Sequence, residues 1–207
     1  MSDDAGRRER AKQLKRERIF AAARDLFDEF GYARVTTQQV ADRADVAAGT
    51  VFRYAATKAE LLLMVRNEDV RRAVHRGLEA ARSIPDAAEA VHAALTPLFE
   101  TAARRTADAA VYQRELMFGD AHEPFRADGL AVVAELEDGI ARILTGGRLT
   151  VPARTAARAI FACAHIVLVR PRDEQGFDTT DLPVQIAQIV AGYRAGAADT
   201  AADPTAN

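Results

Sequence analysis

"ADVAAGTVFRYAATKAELL", residues 44–62, decides the fold. Four small residues in succession, Ala47, Ala48, Gly49 and Thr50, stand where an ordinary helix would carry bulk, and Gly49 weakens a helix interior by about 1 kcal/mol relative to Ala. Phe52, Arg53 and Tyr54 follow, and then Thr57-Lys58-Ala59-Glu60, which has the spacing of a capping box opening a new helix. A short helix with a bare leading end is shaped to approach another surface closely. Upstream, Ile19, Ala23, Leu26, Phe27 and Phe30 recur at i, i+4, i+7, i+8 and i+11, which predicts one apolar helix face ending at Gly31. Thr36-x-x-Gln39 is a second capping box, for a short helix through Ala44 that carries Val40 and Ala41 inward, with Val46 in the next turn. Two short helices joined by a tight turn and propped by an amphipathic first helix make a helix-turn-helix.

The rest of the composition agrees with an all-α protein. The 207 residues are 49% apolar, Ala-rich, with few glycines and almost no alternating β-branched runs. The longest uncharged apolar run, "AIFACAHIVLV" between Arg158 and Arg170, has about half the ~20 residues that cross a bilayer, and the charged N-terminus lacks a signal-peptide core. A single cysteine, Cys163, excludes an internal disulfide and a multi-cysteine metal site. These features lead to an expected cytoplasmic location without membrane contact. The net charge of −2 hides an asymmetry: residues 1–66 hold 13 basic against 10 acidic side chains, the remainder 15 against 20. The excess is densest in "RRERAKQLKRER", residues 7–18, with seven basic and two acidic positions, which suits either a polyanion or a solvated helix start.

The stretch from Ile19 to Leu62, with its "AA..LF...GY..VTTQQVA..A.V..GTVFRY...K.ELL" skeleton, resembles the DNA-binding domain of the TetR family of transcriptional regulators. The resemblance implies a homodimer on a double-stranded, palindromic DNA operator, controlled by a small-molecule effector bound in a variable helical domain. It places Thr37, Gln38, Ala48, Gly49, Thr50, Arg53, Tyr54 and Lys58 at DNA-contacting positions. Side-chain chemistry sorts them. Small residues at 47–50 give the backbone clearance in a major groove, Arg53 and Gln38 are long bidentate donors for base edges, and Tyr54, Thr37 and Lys58 suit phosphate oxygens. Four positions depart from the pattern: Phe52 replaces a frequent tyrosine, so its ring is expected to pack; Ala55 replaces an aromatic, Asp45 a turn glycine and Ala47 an N-capping serine.

Three segments are expected: a basic arm and DNA-binding domain over 1–66, an all-helical effector-binding and dimerisation domain over 67–198, and a disordered tail over 199–207. Helix four should run from Thr57 to about Ala81. Further helices are expected near 86–102, 106–118, 123–145, 151–169 and 182–196, started by Asp86, Pro124, Pro152 and Pro183 and stopped by Gly146-Gly147. Residues 170–181 read as a polar loop. Leu182, Ile186, Ile189 and Tyr193 form a stripe, and the preceding helix, with Ile160, Phe161, Ala164, Ile166, Val167 and Leu168, is apolar nearly all round. The dimer interface is therefore expected at Ile160, Ala164, Val167, Leu168, Leu182, Ile186, Ile189 and Tyr193, the alternative being that both helices pack within one subunit.

Phe99, Tyr112, Met117, Phe118, Phe125 and Phe161 contain no basic cluster and suggest a largely apolar effector oriented by Tyr112 or His165, unless they simply fill the core. A strongly anionic effector is not expected; Arg104, Arg105 and Arg114 would be the residues to examine for one. No catalytic constellation is visible. The histidines lack metal spacing, and Asp120, His122 and Glu123 read better as the start of a helix before Pro124 than as ligands. Cys163 reads as a core thiol. No enzyme activity, metal or cofactor is expected. The reading is a ligand-responsive DNA-binding regulator, in preference to an enzyme with a vestigial helix-turn-helix or an architectural protein without an effector.

Overall fold

Helix starts are where the sequence meets the backbone most directly, because each leaves orphan N–H groups that a side chain can take. In the computed structural model, which describes residues 2–120, 122–173 and 176–202, helix α1 (Ser2–Phe30) leads into a single 3₁₀ turn (Tyr32–Arg34). Thr36 then caps α2 (Thr37–Arg43) with the full reciprocal box: Thr36 Oγ1 accepts from Gln39 N at 3.2 Å and Gln39 Oε1 accepts from Thr36 N at 2.8 Å. Asp45 makes the turn with φ 51°, the left-handed conformation for which a glycine is the usual choice. Next comes α3 (Ala48–Phe52), whose N-cap Ala47 makes no side-chain cap. Thr57 caps α4 (Lys58–Ala81).

Asp86 Oδ1 accepts from Ala88 N and Glu89 N at the head of α5 (Ala87–Ala103). After α6 (Thr106–Phe118), Pro124 opens α7 (Pro124–Thr145), which Gly146 closes at φ 67°. Thr150 caps α8 (Val151–Val169), and α9 (Leu182–Ala202) ends the described chain. Two features differ from the sequence reading. Part of the polar 170–181 loop is an antiparallel ribbon, β1 (Pro171–Asp173) with β2 (Gly176–Phe177). The tail expected from 199 begins as a continuation of α9, and residues 203–207 lie outside the described residues.

The apolar faces meet in two main clusters. One joins Ile19 and Phe27 of α1, Val40 of α2, Val51 of α3 and Leu61–Val65 of α4 to Tyr112 and Leu116 of α6. The other joins Val91 and Leu95 of α5, Leu136 and Ile140 of α7, Ile160 of α8 and Ile186 of α9. Helix α4 serves both, contributing Val74 to the second. Although α8 has the length and apolarity of a membrane-crossing helix, it packs against α6, α7 and α9.

The residues expected at the dimer interface divide in this arrangement. Ile160, Ala164, Leu168, Leu182 and Ile186 are buried against the rest of their own chain, and Val167, Ile189 and Tyr193 are half-buried. The apolar residues that face away are Ile166, 51% exposed, Val184, 58% exposed, and Val151. Arg154 and Arg158 mark the outer side of the first half of α8, but the run from 159 to 169 is uncharged, so its own pattern does not orient the second half.

The tightest approach is between α4 and α5: a Cβ built on Gly77 would stand 2.0 Å from the Ala94 carbonyl oxygen. Gly77→Ala should therefore force the two helices apart and lower stability by about 1–3 kcal/mol or more in chemical denaturation. Gly49→Ala, where a Cβ meets nothing within 4 Å, should leave stability equal or raise it by up to about 1 kcal/mol. Equal effects of the two substitutions would contradict this packing.

Candidate functional site

One end of the molecule presents α2 and α3 with little covering them. Gly49 is exposed and open, Arg53 is exposed and its side chain has no ion pair among the described residues, and Ala48 and Thr50 are half-exposed. Thr37 begins α2, and Gln38 is exposed with Nε2 donating to Asp42 Oδ1 at 2.7 Å. Lys58 begins α4; its ammonium lies 4.2 Å from the centre of the Tyr32 ring and 3.4 Å from the Ala33 carbonyl, and partial burial lowers its pKa. All eight expected contact residues thus lie on α2, on α3 and just after it, or at the start of α4.

Two of the side chains behave differently from the sequence reading. Phe52 is 49% exposed, so its ring is not packed inside; the interior position is taken by Val51. Tyr54 donates its phenolic proton to the Lys12 carbonyl at 3.0 Å. The Arg18 guanidinium meets the Asp45 carbonyl, so the basic segment of α1 is tied to the turn before α3 and to the residues just after it.

A second site lies deeper. A cavity of about 250 Å³ opens between α1, α4, α5, α6 and α8, walled by Val70, Leu98, Tyr112 and Leu168 on its apolar side. The same four residues, with Gln113, also line a narrow apolar cleft of about 20 Å³ that continues past Phe99 and Phe161. Of the expected effector residues, Tyr112 lines both spaces, and Phe99 and Phe161 line the narrow cleft. His165 reaches it through Gln113, whose Oε1 is 3.0 Å from His165 Nδ1, and burial lowers the pKa of that imidazole.

The others are elsewhere. Phe118 is 80% exposed, Met117 packs between the two clusters, and Phe125 sits beneath Arg16 on the other side of α4. The Tyr112 hydroxyl is already donated to Asn67 Oδ1 at 2.9 Å, and burial drives its pKa upward, so the ring rather than the hydroxyl is presented.

The residues that sequence reasoning missed or set aside are arginines. Arg24, Arg66, Arg72, Arg76, Arg104 and Arg105 line the mouth of the cavity, against Asp69 and Asp108. Only the pair Arg72 and Arg76 shares a helical spacing, and the others are assembled from α1, α4 and the α5–α6 junction. At their centre Arg66, whose side chain is 9% exposed, binds Asp28 of α1 at 2.9 Å and Asp108 of α6 at 3.2 Å. Asp108 also accepts from the backbone N–H of Tyr32 at 2.9 Å, and Arg105 shares Asp28 at 2.9 Å. This clasp connects the cavity wall to the end of α1 and to the ring beneath Lys58.

The capping box expected at the head of α4 is half made. Thr57 Oγ1 accepts from Glu60 N at 3.0 Å, but Glu60 turns inward and its Oε1 accepts from Phe125 N at 2.7 Å, so it holds α7 instead of its own helix. Its Oε2 is buried without a hydrogen-bond partner, while nearby Glu123 accepts from Thr57 Oγ1.

A model of the family described as "Bacterial regulatory proteins, tetR family" matches residues 19–65. Over 151 residues the chain is 30% identical to the HTH-type transcriptional repressor KstR of Rhodococcus jostii (strain RHA1), covering 72% of this chain and 69% of that protein. Its fold is similar to that of a TetR transcriptional regulator from Rhodococcus sp. RHA1, with a TM-score of 0.67 and 22% identity over 88% of this chain and 97% of that one. It is also similar to Thermus thermophilus FadR, a TetR family transcriptional repressor solved in complex with lauroyl-CoA, with a TM-score of 0.60 and 26% identity over 87% of this chain and 94% of that one.

Burial, and then the Glu123 carboxylate, push the pKa of Glu60 from 4.5 up to about 7, against the opposing hydrogen bond from Phe125 N. The folded state thus holds this proton more tightly than the unfolded state, so the stabilisation is complete below about pH 4 and is lost as pH rises through about 7. Glu60→Gln should remove this component, raising stability at pH 8 by about 1–3 kcal/mol relative to wild type with little change at pH 4. Thermal melts of both proteins across that range that remain parallel would refute the assignment.

Proposed function

This chain belongs to the tetR family of bacterial regulatory proteins, a family of transcriptional regulators and not of enzymes, and from that premise we propose how its surfaces divide the work. It acts in the cytoplasm as a homodimeric repressor of a palindromic operator. Residues 1–66 bind DNA, and residues 67–198 bind the effector and the second copy. The observation that carries the DNA reading is the open leading end of α3, where Gly49 has no neighbour and Arg53 stands exposed without a counter-ion among the described residues. A helix can reach base edges only if nothing on its leading surface holds the backbone away. Arg53 and Gln38 read bases, and Thr37 and Lys58 hold phosphate, Lys58 together with the free N–H groups that begin α4. Tyr54, its proton committed to Lys12, steadies the basic arm alongside.

The effector enters the cavity between α1, α4, α5, α6 and α8 and extends an apolar part along the cleft between Phe99, Tyr112 and Phe161. The likeness to FadR, solved with lauroyl-CoA, supports an acylated or similarly apolar ligand. The second copy covers the outward face of α8 and α9 at Ile166 and Val184, with the half-buried Val167, Ile189 and Tyr193 beside them and the other five expected residues buried within one chain. Two-fold symmetry then places two α3 helices on successive major grooves, about 34–36 Å apart.

Binding to a duplex selected by the wild-type protein from a random pool tests the division of roles. Arg53→Ala should lose about 1–3 kcal/mol on that duplex and little on unrelated DNA, while Lys58→Ala should weaken both and reduce the salt slope by about 1. Full-strength specific binding by both variants would remove α3 and α4 as the contact surface. For assembly, Ile166→Glu or Val184→Glu should give folded monomers in sedimentation, because both side chains are already exposed in one chain. Ile186→Glu buries a charge in the core and should unfold the protein. Intact dimers for both surface variants would place the interface elsewhere.

A further inference from the structure

The cavity mouth has more guanidinium than carboxylate. Six arginines line it against two aspartates. Asp69 is shared among Arg24 at 3.3 Å, Arg66 at 3.6 Å and Arg72, while Asp28 is shared between Arg66 and Arg105. Arg76 has a 3.5 Å hydrogen bond to Thr101 Oγ1, and Arg104 has no partner among the described residues. Arg66, buried to nine-tenths, keeps an Nε that no acceptor meets. Arg72 also meets Glu68 at 3.7 Å, yet the arginines still outnumber the carboxylates they meet, and a buried guanidinium with an unused donor among them has the chemistry that binds an oxyanion. Behind the shared wall of Val70, Leu98, Tyr112, Gln113 and Leu168 lies the narrow apolar cleft beside Phe99 and Phe161, which a ligand tail would have to widen.

We infer that the arginine-lined mouth is the head-group site for an anionic amphiphile, and that the anion acts by drawing Arg66 and Arg105 away from Asp28 and Asp108. This rests on the effector reading of the cavity given above. Arg66 has two alternative sets of partners. In the clasped arrangement it joins α4 to Asp28 of α1 and Asp108 of α6. Engaged by a ligand oxyanion, it leaves Asp108 without this counter-charge and Asp28 with Arg105 alone. Asp108 is also the acceptor for Tyr32 N, and the Tyr32 ring lies under Lys58, so loosening the clasp disturbs the start of α4 where phosphate is to be held. Ligand and clasp compete for the same guanidinium groups, and the coupling is therefore negative between anion and DNA.

Competition predicts opposite effects from the two sides of one ion pair. Asp28→Asn removes the carboxylate shared by Arg66 and Arg105 and should tighten binding of the anion by about fivefold or more, while weakening ligand-free DNA binding. Arg105→Gln takes away lining charge and should weaken anion binding by about fivefold or more. Both positions are partly exposed, and melting curves check that both variants fold. The probes are lauroyl-CoA, dodecanoate, 1-dodecanol and coenzyme A, read by calorimetry and by release of the selected duplex.

Lauroyl-CoA or dodecanoate should bind and release DNA at least about tenfold better than 1-dodecanol or coenzyme A, and which of the two is stronger identifies the thioester or the free carboxylate as the source of the anion. If 1-dodecanol matches them, the head-group site is overturned while the effector cavity stands. If the anions release DNA but Asp28→Asn binds them no more tightly than wild type, the exchange is overturned and ligand-controlled repression survives. If none of the four binds, the cavity is not the effector site and both readings fall together.

Discussion

The guanidinium of Arg66 is the constraint on which the arrangement of helices depends. A cation taken out of water must be met by carboxylates at hydrogen-bond distance, because an unpaired charge in the interior is far more destabilising than any single apolar contact is stabilising. Here the carboxylates come from different helices, Asp28 from α1 and Asp108 from α6. The position of α1 over α4 is thus set by directional bonds as well as by the packing of Ile19 and Phe27 on Leu61 and Leu62. Apolar packing alone would tolerate small sliding of one helix on another. A guanidinium bonded to carboxylates on two helices does not, which makes it suited to hold two arrangements apart.

Helix α4 repeats this logic along its length. Glu60 holds the backbone of Phe125, Asn67 joins the Tyr112 hydroxyl to the Phe125 carbonyl and Asp128, and Arg71 binds Asp128 at 2.6 Å. These polar groups on α4 are matched by partners from α6 and α7. Further along, the polar groups give way to Gly77, where backbone meets backbone at α5. The helix that begins beside α2 and α3 therefore runs past the cavity and on to the close backbone contact with α5. A change at the cavity wall has a short, covalently continuous route to Lys58.

Elements whose cause is local are legible in the chain itself. Thr36 and Gln39 form their box, Asp86 and Thr150 cap the helices they precede, Gly146 ends α7 in the left-handed conformation, and the 106–118 and 151–169 helices have the expected limits. In each case the residues that decide the outcome are within a few positions of one another. The spacing of the helix-turn-helix is legible for the same reason, whereas the left-handed turn at Asp45 was marked only by its standing where the resemblance has a glycine.

What the sequence could not decide was everything that needed two distant segments to meet. The "T-x-x-E" at Thr57 is a sound local signal, yet Glu60 leaves the box because Phe125 N offers a better-placed donor from 65 residues away. The outer face of the second half of α8 depended on which neighbours covered it, and the uncharged run from 159 to 169 contains no information about that. Arg24, Arg66 and Arg105 look like unrelated surface charges in the chain; only packing α1, α4 and α6 together turns them into one basic wall beside an apolar cleft. Local hydrogen bonds and periodicity are written in neighbouring residues, and so the sequence by itself determined the helices and the DNA-reading motif. Burial and electrostatic pairing act between elements, and only the tertiary structure decided which charges came together around the cavity.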